Sequence, residues 1–355
     1  MPMFIYVVAI LSAFVIAYFT VPLVIRLAFK IGAIDKPDAR KVHSNTMPRL
    51  GGVAIFIAFL LPLFLVVDKS HSPFIGIILG GLVIFAVGII DDIYQLSAKV
   101  KLVGQILAAS IAIYYGVMVH FVTNPFDGLL SLGFLSIPVT LLWIVGVTNA
   151  INLIDGLDGL AGGVSIIAAG TMGIIALLQG QPEVAFAAFL LVAAVLGFLP
   201  YNFHPAQTFM GDSGSNFLGF VLGCLAIMGT AKSATMISLF IPIVILGIPI
   251  FDTFFAIIRR INKKAPIFKP DKEHLHHRLL SLGMGHTQCV LTIYGISGVF
   301  ALVAILLSMT TNPKAMLVLA ILLFLILLGA DRIGLLTGEK AVATAPKRET
   351  VKREI

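Results

Sequence analysis

Long apolar stretches alternate with short polar segments along almost the whole chain. A helix that crosses the hydrocarbon core of a bilayer needs roughly 20 apolar residues, and these stretches approach that length. The pattern predicts an all-α integral membrane protein with about eleven transmembrane helices. The predicted spans are Phe4–Ile25, Val53–Val67, Phe74–Ile90, Leu102–Val119, Ile137–Ala150, Leu160–Leu178, Val184–Leu199, Ser215–Gly229, Met236–Ile258, Val290–Met309 and Ala315–Gly329.

The composition agrees with a membrane protein, because 59% of the 355 residues are hydrophobic and only 12% are charged. Soluble domains carry about 25% charged residues. We expect one membrane domain over residues 1–330 and a flexible cytoplasmic tail over residues 331–355, where the sequence becomes charged and poor in aromatic residues. Cys224 and Cys289 show no pairing pattern, so neither a disulfide nor a cysteine-held metal is expected.

The basic residues fall on one side of the predicted spans. Of the 24 Lys and Arg residues, 21 lie in or next to one set of loops and the C-terminal tail. The loops on the other side of the predicted spans hold only Lys69, Lys232 and Lys314. Because loops rich in Lys and Arg stay in the cytoplasm, this bias predicts an N-terminus outside and a C-terminus in the cytoplasm. The net charge of +7 is then a topology signal and an attraction to anionic headgroups and phosphates. We expect no nucleic-acid partner.

Two adjacent carboxylates, Asp91 and Asp92, end the third predicted span. A charged acid at the bilayer centre costs about 2.5–3.5 kcal/mol on insertion scales, so a cation is expected close to the pair. Acids at a helix end can hold Mg²⁺ and still leave room for water and phosphate oxygens. The alternative is a solvated helix end that is bridged to Lys99 or Lys101.

Polar side chains at helical spacing follow the fifth predicted span. Asn149, Asn152 and Asp155 are three residues apart and share a helix face. Asp155 and Asp158 are each followed by glycine, which allows tight turns before the next span. Amides and carboxylates in this array suit the donors and acceptors of a nucleobase and a ribose. The alternative is a polar connection that only caps helices.

A glycine-rich segment, Phe209-Met-Gly-Asp212-Ser-Gly-Ser, leads into the eighth predicted span. Small residues let a phosphate approach the N–H groups at a helix N-terminus, whose dipole favours an anion. Asp212 could hold a metal that bridges such phosphates, and Phe209 offers a flat face for a base. The alternative is a helix cap without a ligand.

The longest cytoplasmic loop contains His274-Leu-His276-His277-Arg278. Asp271 is expected to cap a short helix that ends at Gly283. Imidazoles beside a guanidinium suit a pyrophosphate, and a neutral histidine can accept a proton. The alternative is an amphipathic helix that lies on the membrane surface.

Two further segments have weaker signals. Asp252 in the ninth predicted span is expected to pair with Arg259 and Arg260 or to help the metal site. The first cytoplasmic loop carries Arg40-Lys41-Val-His43 and Pro48-Arg49-Leu-Gly51-Gly52. This loop could guide an anionic substrate or simply enforce the topology.

The chain resembles the polyprenyl-phosphate N-acetylhexosamine-1-phosphate transferases over about Asp35 to Gly285. The resemblance lies in the order of the acid pair, the Asn and Asp-Gly segment, the glycine-rich segment and the histidine segment. His-Leu-His-His after Phe268-Lys-Pro-Asp271 resembles the branch of that family which uses UDP-N-acetylglucosamine. The branch that transfers phospho-N-acetylmuramoyl-pentapeptide has a three-histidine run instead. Many members of the first branch have a further acid three residues beyond the acid pair, where this chain has Gln95.

The resemblance implies transfer of N-acetylglucosamine 1-phosphate from UDP-N-acetylglucosamine to undecaprenyl phosphate, with release of UMP. It implies Mg²⁺ as cofactor, with Mn²⁺ as an alternative, and a cytoplasmic active site in a bacterial inner membrane. The product would start a cell-envelope glycopolymer such as wall teichoic acid or O-antigen, and a homodimer is left open.

The residue patterns and the resemblance together assign three groups of site residues. The catalytic group is Asp91, Asp92, His274, His276 and His277, and the metal ligands are Asp212 and Asp92. The substrate-binding group is Asn149, Asn152, Asp155, Asp158, Asn202, Phe209, Arg278 and Lys101.

Two other protein classes are alternatives at this point. A secondary transporter would place ion-relaying acids near the bilayer midplane, whereas the acids here crowd the cytoplasmic ends of the spans. A CDP-alcohol phosphotransferase would have a longer, arginine-containing acidic motif, which is missing around Asp155. The pattern therefore favours the transferase, with the pentapeptide branch of the same family as the next alternative.

Overall fold

The computed structural model describes residues 3–35, 46–67, 72–123, 129–230, 240–264, 273–310, 312–332 and 334. Within these residues the protein is helical apart from two short antiparallel hairpins, which pair β1 (Ile34–Asp35) with β2 (Met47–Pro48) and β3 (Phe121–Thr123) with β4 (Leu129–Ser131). The helices are α1 (Met3–Ile31), α2 (Gly52–Val66), α3 (Ser72–Tyr94), α4 (Ala98–Tyr114), α5 (Ser136–Ile154), α6 (Leu160–Leu178), α7 (Pro182–Asn202), α8 (Gly211–Thr230), α9 (Phe240–Ile245), α10 (Gly247–Asn262), α11 (Leu275–Ser281), α12 (His286–Ser308) and α13 (Asn312–Arg332).

The predicted class, an all-α integral membrane protein, is confirmed. Within the described residues, seven helical segments are long and apolar enough to cross a membrane. The prediction of about eleven spans and the orientation of the termini stay predictions. The seven segments are Met3–Ile31, Pro73–Tyr94, Gly133–Ile154, Leu160–Leu178, Pro182–Asn202, Gly211–Gly229 and His286–Ser308.

The ninth predicted span is not one continuous helix. α9 ends at Ile245, and α10 begins two residues later at Gly247. Pro249 has no N–H to donate to the carbonyl of Ile245, so a helix through this point would lack one bond of its ladder. Gly247 also packs closely, because a Cβ added there would lie 2.2 Å from the ring of Phe300. The prediction of one helix over 236–258 was therefore wrong for the described part.

Small residues let the helices approach each other closely, as is common in membrane helix packing. In α1, Ala9, Ala13 and Ala17 are buried, and a Cβ added to Gly197 of α7 would lie 2.4 Å from the carbonyl oxygen of Phe14. α3 and α8 meet in the same way, since a Cβ on Gly88 would lie 2.4 Å from the Cα atom of Ser213. This contact brings the acid pair at the end of α3 to the start of α8.

Several predicted features lie outside the described residues. They include the basic residues of the first loop and almost all of the predicted tail over residues 331–355, namely Arg40, Lys41, His43 and the tail beyond Gly334. The division into a membrane domain and a tail stays a prediction.

Candidate active site

Lys101 at the start of α4 joins the end of α3 to the start of α8. Its Nζ atom donates to Oδ2 of Asp91 at 3.1 Å and to Oδ2 of Asp212 at 2.5 Å. The Asp91 side chain is 5% exposed and that of Asp212 is 17% exposed. A buried carboxylate is tolerated when it is paired, so the ammonium stabilises both acids. The bridge from the acid pair to a lysine, one of the two sequence interpretations, is present.

Asp92 faces the N-terminus of α8 and is buried. Its Oδ1 atom accepts the N–H of Asp212 at 2.8 Å. Its Oδ2 atom accepts the N–H of Ser213 at 3.0 Å and the hydroxyl of Ser213 at 2.6 Å. The first N–H groups of a helix need such acceptors, and the helix dipole favours a negative charge there. From the sequence we expected the N–H groups at the start of α8 to be available to a phosphate. In the structure, those of Asp212 and Ser213 donate to the carboxylate of Asp92 instead.

Asn152 of α5 reaches the same cluster. Its Nδ2 atom donates to the hydroxyl of Ser215 at 2.8 Å and to Oδ1 of Asp212 at 3.3 Å. Asn152 therefore lies beside the acids, as the sequence predicted for a residue of the site. Ser215 supports it from the first turn of α8.

Asn149 lies one helical turn earlier and belongs to a layer of amides behind the acids. It exchanges two hydrogen bonds with Gln105, at 2.8 and 3.2 Å. Gln105 also donates to Oδ1 of Asn216 at 3.0 Å. Sequence reasoning missed Gln105, although it follows Lys101 by four residues and so shares its face of α4.

The turn after α5 carries the two Asp-Gly pairs. Burial raises the pKa of Asp155 to about 7, and the negative charges of Asp212 and Asp92 add to this effect. Asp158 is engaged with the segment after α7, because its Oδ2 atom lies 2.8 Å from Nδ1 of His204 and accepts the N–H of Ala206 at 3.2 Å. The two aspartates of this turn therefore face different neighbours.

A histidine pair packs beside Asp158. The rings of His204 and His286 are nearly parallel, at 20°, with centroids 4.1 Å apart, and Nε2 of His286 accepts the N–H of Asp158 at 3.3 Å. Ligand atoms of Asp158, His204 and His286 lie within 4.8 Å of one another. Nearly parallel stacked rings do not point their lone pairs at one atom, so we interpret the cluster as a link between two loops and α12. Sequence reasoning missed His286.

Asn202 at the end of α7 holds two loop segments together. Its Oδ1 atom accepts the N–H of Gly159 at 3.1 Å, and its Nδ2 atom donates to the carbonyl of Thr208 at 2.9 Å. Phe209 follows, half-buried, and its N–H donates to the carbonyl of Pro48 at 2.8 Å. Asn202 thus fixes the segment on which Phe209 leads into Asp212.

The histidine segment is fixed by Asp252 of α10. Oδ2 of Asp252 lies 2.9 Å from Nδ1 of His274, and Oδ1 accepts the N–H of Leu275 at 2.8 Å. α11 therefore begins at Leu275, whereas Asp271, the cap predicted from the sequence, lies outside the described residues. A carboxylate from a distant helix supplies the cap, which no local pattern reveals.

His276 is buried and packs on the turn after α5. A Cβ added to Gly156 would lie 2.5 Å from Nε2 of His276. Burial, with the neighbouring charge of His277, lowers the pKa of His276 to about 3. The ring is therefore neutral near pH 7 and carries no positive charge for a pyrophosphate. His277 is only half-buried.

Arginines near the histidine segment converge on one acid. Oε2 of Glu273 lies 3.3 Å from Arg278 and 3.4 Å from Arg259, and Oε1 lies 2.8 Å from Nζ of Lys263. Arg259 thus faces Glu273, and Asp252 faces the histidine segment. The sequence had left two alternatives for Asp252, which were pairing with Arg259 and Arg260 or helping the metal site.

The donor set of the cluster fits a hard divalent cation. Mg²⁺ prefers carboxylate and amide oxygens and keeps several waters. Asp91 and Asp212 lie on either side of one ammonium group, Lys101, so a positive charge is already favoured between them. Both oxygens of Asp92 are bound to the first turn of α8. The side chain of Asp212 is 17% exposed, against 5% for Asp91 and 0% for Asp92, so Asp212 is the most accessible of the three acids.

Comparison with known proteins places the chain in a family. Residues 74–230 match glycosyl transferase family 4, a region that contains the acids from Asp91 to Asp212. The chain is 44% identical over 351 residues to the probable undecaprenyl-phosphate N-acetylglucosaminyl 1-phosphate transferase of Bacillus subtilis (strain 168), over 98% of each chain.

Two further relatives carry related names. The decaprenyl-phosphate N-acetylglucosaminephosphotransferase of Mycobacterium leprae (strain TN) is 37% identical over 323 residues, which cover 82% of this chain and 81% of that one. The undecaprenyl-phosphate alpha-N-acetylglucosaminyl 1-phosphate transferase of Yersinia pestis is 30% identical over 313 residues, which cover 85% and 84%.

Proposed function

The chain belongs to glycosyl transferase family 4, and we propose that it transfers N-acetylglucosamine 1-phosphate from UDP-N-acetylglucosamine to undecaprenyl phosphate. The observation that carries this proposal is the acid cluster in which Lys101 joins Asp91 to Asp212 at 3.1 and 2.5 Å, beside Asn152. Such a group of acids and a cation suits the charges of a diphosphate. The likeness to named relatives over nearly the full chain supports the two substrates.

The lipid phosphate acts as the nucleophile. A phosphate monoester has a second pKa of about 6, so it is largely ionised at neutral pH and needs no strong base. One of its oxygens forms a bond to the β-phosphorus of the donor, while the bond from that phosphorus to the bridging oxygen breaks. UMP leaves with the electron pair, and a lipid-linked sugar pyrophosphate remains.

Each residue group has a role in this transfer. Asp91 positions the lipid phosphate or accepts its last proton, and Lys101 stabilises negative charge on the transferred phosphoryl group. Asp212 and Asp91, with Asp92 as the further ligand from the sequence, would hold Mg²⁺ or Mn²⁺. A cation held there would supply positive charge against the diphosphate. The remaining assignments are Asn152, Asp155, Asp158 and Phe209 for uridine, and His274, His277 and Arg278 for the diphosphate.

The proposed location is a bacterial inner membrane, with the site on the cytoplasmic side. The crowding of Lys and Arg in one set of loops supports this orientation, and soluble nucleotide-sugar donors are cytoplasmic substrates. The downstream polymer, wall teichoic acid or O-antigen, and a homodimer stay predictions from the sequence. The N-acetylglucosaminyl names of the relatives favour this sugar over a pentapeptide-bearing one.

The proposal is tested by UMP release from purified protein supplied with undecaprenyl phosphate, Mg²⁺ and UDP-N-acetylglucosamine. A parallel reaction contains UDP-muramoyl-pentapeptide. We expect lipid-dependent release with the first donor, and its loss on adding EDTA or in Asp212→Asn. Release only with the second donor would move the protein to the pentapeptide branch. Folded protein that releases no UMP with either donor would contradict the transferase and favour a transporter.

A further inference from the structure

Residues 48–52 run alongside the segment that leads into α8. The N–H of Phe209 donates to the carbonyl of Pro48 at 2.8 Å, and the N–H of Gly51 donates to the carbonyl of Phe209 at 3.0 Å. The N–H of Gly52 donates to the carbonyl of Met210 at 2.8 Å. The backbone on both sides of Arg49 is therefore bonded to the segment that carries the base-stacking candidate, Phe209.

Gly51 and Gly52 allow the backbone of residues 48–52 to approach the start of α8 closely. A Cβ on Gly51 would lie 2.6 Å from the carbonyl oxygen of Phe209, and a Cβ on Gly52 would lie 2.2 Å from the backbone nitrogen of Gly214. Cβ atoms do not approach other heavy atoms so closely. The glycine pair in Pro48-Arg49-Leu-Gly51-Gly52 thus allows this segment to pack closely against the start of α8. This packing fixes the position of the Arg49 backbone.

The guanidinium of Arg49 lies at the acid cluster. One terminal nitrogen is 3.6 Å from Oδ1 of Asp92, the other is 3.9 Å from Oδ1 of Asp35, and the side chain is 20% exposed. These separations exceed the 2.7–3.2 Å of a close N–H···O hydrogen bond. The two pairs orient the guanidinium by charge without close hydrogen bonds, so it can turn its planar fork of donors towards a phosphate.

Arg49 and Lys101 place a positive charge on two sides of the cluster. Lys101 contacts Asp91 and Asp212, the acids that the mechanism gives to the acceptor and the cation. Pro48 and Gly51, on either side of Arg49, are bonded instead to the backbone of Phe209, which the proposed function gives to the nucleoside. A diphosphate that runs from the nucleoside towards the acceptor would meet Arg49 first.

We infer that Arg49 binds the phosphate next to the uridine, the one that leaves as UMP. This inference rests on the proposed function and adds a residue to the same site. Negative charge grows on that phosphate when the bond to the β-phosphorus breaks. The backbone around Arg49 is fixed by hydrogen bonds, so only the side chain has to turn for the guanidinium to stabilise this charge. Arg49 would therefore contribute both to donor binding and to departure of UMP.

The test measures binding of UMP and of uridine to the purified full chain by calorimetry, without turnover. Arg49→Gln should weaken UMP binding by about 10-fold to 100-fold, the range for hydrogen bonds between charged groups. Uridine, which lacks the phosphate, should bind within about 2-fold of the wild-type affinity. Arg49→Lys keeps the charge but loses the fork, so we expect an intermediate loss for UMP. Arg26→Gln, at an exposed arginine of α1, is the matched control.

The outcomes separate this inference from the proposed function. Equal weakening of UMP and uridine would mean that Arg49 only supports the fold, and it would overturn the inference. Unchanged UMP binding in Arg49→Gln would overturn it too, while leaving the transferase intact. Wild-type protein that binds neither UMP nor UDP-N-acetylglucosamine would defeat both. If Arg49→Gln does not fold, Arg49→Lys is used in its place. A loss of affinity for UMP but not for uridine in Arg49→Lys would support the inference, and equal losses would overturn it.

Discussion

Asp92 and Ser213 lie on different helices, and the carboxylate of Asp92 accepts both the N–H and the hydroxyl of Ser213, at 3.0 and 2.6 Å. The same carboxylate accepts the N–H of Asp212 at 2.8 Å. Asp92 thus holds the first turn of α8 in place, whereas its neighbour Asp91 turns to Lys101. Two adjacent acids, alike in the sequence, have different surroundings.

We expect Asp92→Asn to lower both stability and activity. The amide replaces one acceptor by a donor that faces the N–H groups of α8, and an unsatisfied buried group costs about 1–3 kcal/mol. Asp212→Asn should abolish UMP release with a smaller loss of stability, because the helix cap stays intact. Thermal unfolding in detergent and UMP release measure the two effects. An unfolding temperature of Asp92→Asn equal to that of the wild type would contradict the capping role.

Gly156→Ala should reduce turnover, because the added Cβ would meet Nε2 of His276 at 2.5 Å. The ring, or the turn that carries Asp155, must then move away. Gly146→Ala is the matched control, since nothing lies within 4 Å of a Cβ at that position of α5. UMP release under saturating donor compares the two variants. Equal rates would show that His276 tolerates displacement and has no precise role.

Asp252→Asn should act through His274. At metal sites, removing a partner that orients a ligating histidine lowers activity by about 10-fold to 100-fold, and we expect a loss of this order for the orientation of His274. Asp252 lies 2.9 Å from Nδ1 of His274, so the losses in Asp252→Asn and His274→Ala should not add in the double variant. Steady-state kinetics of the wild type, the two single variants and the double variant form a double-mutant cycle that measures this coupling. Fully additive losses would mean that Asp252 only caps α11.

Asp155 should make stability depend on pH. Its pKa rises from 3.8 to about 7 on folding, so between these values the folded chain holds a proton that the unfolded chain has released. The contribution of Asp155 to the free energy of unfolding is then fully present below about pH 4 and is lost as the pH rises through about 7. Asp155→Asn cannot titrate, so its unfolding temperature should change less between pH 4 and pH 7. A pH dependence as steep as that of the wild type would refute the shift.

The amino-acid sequence by itself determined the class, several of the long helices and the order of the site segments. Apolar stretches of membrane length become helices because every backbone group must be satisfied inside lipid. The predicted span Leu160–Leu178 matches α6 residue for residue. Asp91, Asn152 and Asp212 were each proposed as site residues from the sequence, because charged or amide groups at the ends of apolar helices are costly unless they have a role.

Only the tertiary structure decided which of these groups touch. Lys101 meets an acid 111 residues away, and Asp92 meets the start of α8 across 120 residues. Such partners depend on how helices pack, which local spacing does not encode. For the same reason the sequence missed Gln105, did not reveal the bond from the N–H of Leu275 to Asp252, and left Arg49 between two interpretations. Helices form from local hydrophobicity, but the site forms where their polar ends meet.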